Sequence, residues 1–240
     1  IKSKISEFVA SVPDITGTLL IGGDVADSVE LESAFYEQLA AFDGWRGRII
    51  AILGNHELWD GDPRGVKPAR SVDEIISSYR QALPSRIKLL ENELFIMYKG
   101  FRSTVLDEPT ILNARVEELT KACADSTFIL LGGIGFSGLN PIYNAKMGLY
   151  RAAVSTEEDI ERSNRFKALY DKVLSCAGDF RVIVLTHMQM ADWSDARYNP
   201  NWIYVSGHTH QNTFLLREDG TAVFSDNQIG YKPKPWYLNS

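Results

Sequence analysis

The chain has 240 residues, 45% hydrophobic and 23% charged, with a formal net charge of -6 at pH 7. Its length fits one large α/β domain or two small ones, and the composition is ordinary for a folded globular protein. The acidic balance argues against a general nucleic-acid binder, while leaving room for a local basic cleft or a metal centre that attracts anions against the global sign.

Ile1, Ile5, Phe8, Val9 and Val12 recur at helical spacing and predict an amphipathic helix over residues 1–12, ended by Pro13-Asp14. The apolar run 18–21 predicts a buried strand that stops at Gly22-Gly23-Asp24. A helix follows over 30–42, with Leu31, Phe35, Leu39 and Phe42 on one face. A second buried strand over 48–53 ends at Gly54-Asn55-His56. Gly61, Pro63, Gly65 and Pro68 make 60–70 a loop. The helix over 71–83 opens on Ser71, with Glu74 three residues on to complete a capping box.

Residues 87–90 and 94–98 read as two strands joined by Glu91-Asn92-Glu93, and 110–124 as a helix. A strand over 128–131 ends in Gly132-Gly133. A long helix over 156–176 has Ser155 or Thr156 as its cap and three acids in its first turn, where they favour the helix dipole. The buried strand 181–185 ends at Thr186-His187, and 202–205 ends at Gly207-His208. Residues 213–217 and 221–225 predict a hairpin across Glu218-Asp219-Gly220, and the tail from Gly230 reads as irregular. Strands alternate with helices early and give way to hairpins, which predicts one α/β domain with a mixed sheet or two packed sheets.

Cys123 and Cys176 fall in predicted helices and do not suggest a disulfide framework, so a cytoplasmic location is expected. No apolar run approaches the roughly 20 residues a membrane span needs.

All four histidines lie in motifs placed after β-type apolar runs: His56, His187, His208 and His210. Asp24 adds a carboxylate in the same setting. In open α/β sheets, ligands bind beyond the carboxyl ends of strands, so Asp24, Asn55, His187 and His208 converge on one edge without special folding. An Asp, an Asn amide oxygen and three imidazoles form a hard-to-borderline donor set, suited to Mn, Fe, Zn, Co or Ni rather than calcium. His at i and i+2 after a strand, as in Gly207-His208-Thr209-His210, rarely serves packing. A binuclear amidohydrolase would need a Lys or carboxylated ligand and a barrel of about eight strand–helix units, which this length does not provide.

The order Gly23-Asp24, then Gly54-Asn55-His56-Glu57, then Thr186-His187, then Gly207-His208-Thr209-His210 resembles the calcineurin-like metallophosphoesterase superfamily, over residues 1 to about 228. The resemblance implies an α/β fold, a four-layer α/β/β/α sandwich of two mixed sheets. It also implies a single domain over 1–240 with insertion-like or cap-like loops near 59–70, 101–126 and 135–155. It implies a centre of two divalent metal ions, with Mn the ion of choice in vitro. Asp24 bridges both; Asn55, His187 and His208 complete one; His210 joins the other. His56 faces the phosphate, stabilising the transition state or protonating the leaving oxygen. Glu57 orients His56, and Asn55 touches phosphate as well as metal. The implied reaction is hydrolysis of a phosphomonoester or phosphodiester by a hydroxide that the two ions activate.

The superfamily's first motif, Asp-x-His, occurs nowhere in the sequence. It is expected upstream of Ile1. A chain truly without it would leave one metal only Asp24 and His210, and a catalytically impaired scaffold or binding protein is then the alternative. Substrate selection is expected in loops around the same edge, carried by Arg64, Asn140, Tyr143 and Arg151, with Trp59, Lys67 and Arg70 nearby. A small phosphorylated substrate is expected, with a nucleotide or nucleic acid left open, and nothing identifies a protein partner or a membrane span.

Overall fold

The computed structural model describes residue 10 and residues 16–66, 70–211 and 213–225. The helix expected over 1–12 (but for Ala10), Lys67 and the tail from Gly230 lie outside the described residues.

Two sheets carry the fold. The smaller holds β1 (Thr18–Ile21), β2 (Arg48–Ala51) and β3 (Ile87–Leu89), all parallel, in the order β1-β2-β3. The larger has the order β5-β4-β6-β7-β8-β10-β9, made from β4 (Glu93–Tyr98), β5 (Ser103–Leu106), β6 (Ser126–Gly133), β7 (Val182–Thr186), β8 (Ile203–Ser206), β9 (Thr213–Leu216) and β10 (Ala222–Ser225). Its β6, β7, β8 and β10 run parallel, and β4, β5 and β9 pair antiparallel at the flanks.

The helices are α1 (Val29–Ala40), α2 (Val72–Ala82), α3 (Glu108–Asn113), α4 (Val116–Ala124), α5 (Thr156–Ala177) and the short α6 (Met190–Trp193). Side-chain alternation along the strands builds the layers. From the second strand segment, Ile50 and Ile52 pack with Leu90 against Phe95, Leu130 and Leu185 of the larger sheet, closing the space between sheets. The alternate residues Ile49, Ala51 and Leu53 are buried with Tyr36 and Leu39 of α1 and Ile75 and Tyr79 of α2. Ile129 and Leu131 likewise bury with Phe166, Leu169 and Val173 of α5. Each fully buried Leu or Ile contributes about 1.5–3 kcal/mol. The result is the α/β/β/α arrangement expected from the motif order.

Two local features differ from the periodicity reading, and a third adds to it. The helix expected over 110–124 is broken in two. Pro109 opens α3 with Asp107 as its cap, and Ala114 leaves it in an extended conformation. Glu118 caps the start of α4 by accepting from Arg115 N at 3.0 Å, while Lys172 Nζ donates to the Ala114 carbonyl at 2.7 Å and satisfies the break. The strand β5 is four residues long, with only Val105 and Leu106 apolar, and sits on the sheet edge, so no apolar run announces it. The turn at Glu91-Asn92 does not pair the strands it joins; it passes the chain from the smaller sheet to the larger one. No helix among the described residues is long and apolar enough to cross a membrane.

That crossing turn has a consequence for stability. Glu91 Oε2 accepts from Ile134 N at 3.1 Å, while Oε1 is enclosed without a partner. Burial pushes its carboxyl from the ordinary 4.5 up to about 7. The folded chain therefore binds a proton here that the unfolded chain has lost, and this group's contribution to stability falls as pH rises from about 4.5 through 7. Glu91→Gln removes the dependence. The melting temperature of the variant relative to wild type is expected to rise between pH 5 and pH 8, by the equivalent of roughly 2–3 kcal/mol. A difference that stays constant with pH would show that Glu91 is ionised throughout.

Candidate metal centre

Four strands deliver the site. β1 and β2 of the smaller sheet end at Gly22-Gly23-Asp24 and at Gly54-Asn55-His56; β7 and β8 of the larger sheet end at His187 and at Gly207-His208. Backbone contact is what lets these ends meet. Gly23 has φ +83°, and a Cβ there would stand 2.5 Å from Gly54 N. A side chain at position 54 would run into Asp24 Oδ1 and the His187 ring. Asp24, His208 and His210 all hold left-handed backbone, with φ of 56°, 72° and 56°. Such strain costs about 1–3 kcal/mol per residue and gathers at functional sites.

His187 is enclosed, with 1% of its side chain exposed. Its Nδ1 donates to the Gly22 carbonyl at 2.7 Å, which turns Nε2 toward Asn55 Oδ1 at 3.0 Å and Asp24 Oδ2 at 3.4 Å. A ring nitrogen tied to a backbone carbonyl is the usual support of a metal-binding imidazole, because it fixes both tautomer and orientation. His208 Nδ1 approaches the same Asn55 Oδ1 at 3.0 Å. Asn55 can present that oxygen because its Nδ2 donates away, to the Leu149 carbonyl at 3.3 Å. Donor atoms of Asp24, His187 and His208 all lie within 4.8 Å of one another.

The electrostatics fit a cation at this point. Burial opposes ionisation of Asp24, yet the charge of His187 and its hydrogen bond outweigh burial and hold the carboxyl well below the usual range. Burial likewise opposes protonation of His187. The Asp24 carboxylate and the Gly22 carbonyl outweigh it and raise the imidazole to about 9. The proton kept there supplies the positive charge that the surrounding oxygens require. A bound ion would replace it. His208 goes the other way, down to about 4, through burial first and the His187 charge second. A neutral imidazole of this kind is ready to ligate.

Glu57 binds the two loops from the smaller sheet. It is fully buried, and its carboxylate accepts from Gly54 N at 2.7 Å, Asp24 N at 3.0 Å and Val25 N at 2.6 Å. Beside it lies the equally buried Glu32, whose carboxyl is pushed up to about 11 by burial and by the Glu57 charge. Two neighbouring buried carboxyls cannot both ionise, so Glu32 carries a proton beside the Glu57 charge.

His56 stands at the rim with 27% of its side chain exposed. Its backbone N–H donates to Asp24 Oδ1 at 2.9 Å, and its Nε2 is 3.8 Å from Asp24 Oδ2. His210 lies close enough to act electrostatically on both His56 and His208.

A family model for calcineurin-like phosphoesterases matches residues 7–212. The chain belongs to this family. No curated protein matches it. The matched span of this calcineurin-like phosphoesterase contains every residue of the centre, from Gly22 to His210. Phosphoester hydrolysis with divalent metal is the chemistry of the family.

The sequence-predicted site residues divide clearly in space. Asp24, Asn55, His56, Glu57, His187 and His208 come together, while His210 is exposed and lies outside the cluster of Asp24, His187 and His208 donor atoms. Asn140 is taken up in its own loop: Nδ2 donates to Asp192 Oδ1 at 2.8 Å, and Oδ1 accepts from Ile142 N and Tyr143 N. Tyr143 is 61% exposed, and Arg64 is exposed on the loop after Asp60. Arg151 lays its guanidinium over the Trp59 ring. The Gly22 and Leu149 carbonyls, which orient His187 and Asn55, were not anticipated, since any residue type supplies a backbone carbonyl.

Proposed function

We propose that this protein is a binuclear metal-dependent phosphoesterase acting on a small phosphorylated substrate. The observation that carries the reading is the approach of His187 Nε2 and His208 Nδ1 to one oxygen, Asn55 Oδ1, each at 3.0 Å, beside the Asp24 carboxylate. Asp24, Asn55, His187 and His208 would hold one divalent ion, and Asp24 with His210 would contribute to a second. Bound there, the ions would lower the pKa of a water molecule and neutralise charge on phosphoryl oxygens. His56 is left outside the ligand set, at the partly exposed rim with its Nε2 3.8 Å from Asp24 Oδ2. From that position it meets a phosphoryl or leaving oxygen and stabilises or protonates it. Asn55 supplies a fixed amide beside the same oxygens. Substrate identity beyond the phosphoester would be set by the exposed loop that carries Tyr143 and by Arg64.

Hydrolysis of p-nitrophenyl phosphate and bis-p-nitrophenyl phosphate by Mn-supplemented protein tests this. Turnover is expected on at least one ester, lost with a chelator and restored by Mn, and the ratio of the two rates assigns monoester or diester preference. Bound metal without turnover on either ester, with Mn, Fe, Zn, Co or Ni, would instead assign a scaffold or binding role.

A further inference from the structure

His56 precedes the 3₁₀ turn Glu57–Trp59. Such a turn brings residues three apart onto one side, and Trp59 N donates to the His56 carbonyl at 3.0 Å. The two rings are stacked, with centroids 3.7 Å apart and planes at 25°. The indole is itself held. Its Nε1 donates at 2.9 Å to the Leu149 carbonyl, the same oxygen that takes Asn55 Nδ2. The Arg151 guanidinium carbon lies 4.2 Å from the indole centroid. Two groups this close to one ring cannot share a face, so His56 and Arg151 sandwich Trp59. Arg151 is fixed in turn by Nε donating to Pro63 O at 2.7 Å and Nη1 donating to Gly148 O at 2.6 Å.

We propose that Trp59 is a positioning residue for His56, with Arg151 as its backstop. This rests on the reading of His56 as a group that acts on phosphate. A half-buried imidazole on a short turn has rotamers that would carry it away from the centre into solvent. The indole removes them by occupying one imidazole face. The Leu149 carbonyl then couples this clamp to Asn55, so one backbone oxygen sets both a metal-side amide and the ring beside it. Arg151 works here through Trp59, and its recruitment ties the 145–153 segment to the 59–65 loop.

The test compares Trp59→Leu and Trp59→Phe, reading kcat and KM on the better p-nitrophenyl ester, bound Mn, and the rate at which diethyl pyrocarbonate modifies His56, mapped by mass spectrometry. Trp59→Leu is expected to lower kcat by about 10–100-fold, since loss of alignment acts on the transition state. KM is expected to stay within about threefold and bound Mn to remain unchanged, as for a group that acts after binding. Modification of His56 should accelerate several-fold. Trp59→Phe, which keeps an aromatic face, should recover most of kcat and most of the protection. Wild-type kcat and an unchanged His56 modification rate in Trp59→Leu would overturn the proposal. So would equal loss of Mn and melting temperature in both variants, because that marks a purely structural role. Failure of the phosphoesterase reading shows itself separately, as a wild type that binds Mn and hydrolyses neither ester.

Discussion

His56→Ala is expected to lower kcat by about 10²–10⁴-fold, the range for loss of a positioned acid–base or oxyanion group, and to leave the bound metal in place. The two halves of the expectation have separate grounds. Metal retention follows from the ligand geometry: Asn55 Oδ1, His187 Nε2, His208 Nδ1 and Asp24 Oδ2 meet without the His56 ring, which stands 3.8 Å from Asp24 at the rim. The backbone N–H that His56 donates to Asp24 survives the substitution. Loss of turnover follows because the ring is held in place by the indole and borders the centre from the exposed side. Elemental analysis beside steady-state rates decides the matter. A variant that loses metal in step with activity would make His56 a ligand.

Glu57→Ala is expected to cost roughly 3–5 kcal/mol of stability and the metal site with it. The carboxylate accepts three close backbone N–H groups from two loops 30 residues apart, and an alanine would leave those donors enclosed without partners. Each such orphan costs about 1–3 kcal/mol. The opposing effect is the cost of burying the charge, which raises the Glu57 pKa. Loss of the carboxylate relieves that cost, and the three unsatisfied donors outweigh it. Glu57→Gln keeps one acceptor oxygen and should lie between alanine and wild type. Glu32→Gln should be nearly neutral, because the amide is uncharged, as the protonated acid is, and has nearly its shape. Chemical denaturation of the metal-free proteins measures all three. A Glu57→Ala protein as stable as wild type would mean that solvent reaches the loop amides.

Much of the centre was legible because its residues stand immediately after strands. β1 and β2 end within a few residues of Asp24 and Asn55, and β7 and β8 do the same for His187 and His208. Apolar runs therefore carried the site's location, and the glycines at 23 and 54 marked where backbones touch. The sandwich was legible for a similar reason, since β2 is apolar on both faces and must be covered twice. What stayed hidden depends on partners distant in sequence. The role of Trp59 needs Leu149 and Arg151, about 90 residues away. Asn140 looked like a substrate ligand because an exposed-loop Asn and an Asn folding its own turn have the same sequence signature. The break between α3 and α4 leaves apolar spacing almost intact, and its satisfying donor, Lys172, comes from another helix.

The most direct test of the centre is metal stoichiometry after dialysis against Mn, compared between wild type and His187→Ala. His187 is buried and has its Nδ1 committed to Gly22, so its Nε2 serves nothing but the centre. Wild type is expected to retain at least one Mn per chain and His187→Ala to retain substantially less at the same free Mn, with its fold intact by circular dichroism. Equal Mn in both proteins, or none in wild type, would contradict a metal site built on Asp24, Asn55, His187 and His208.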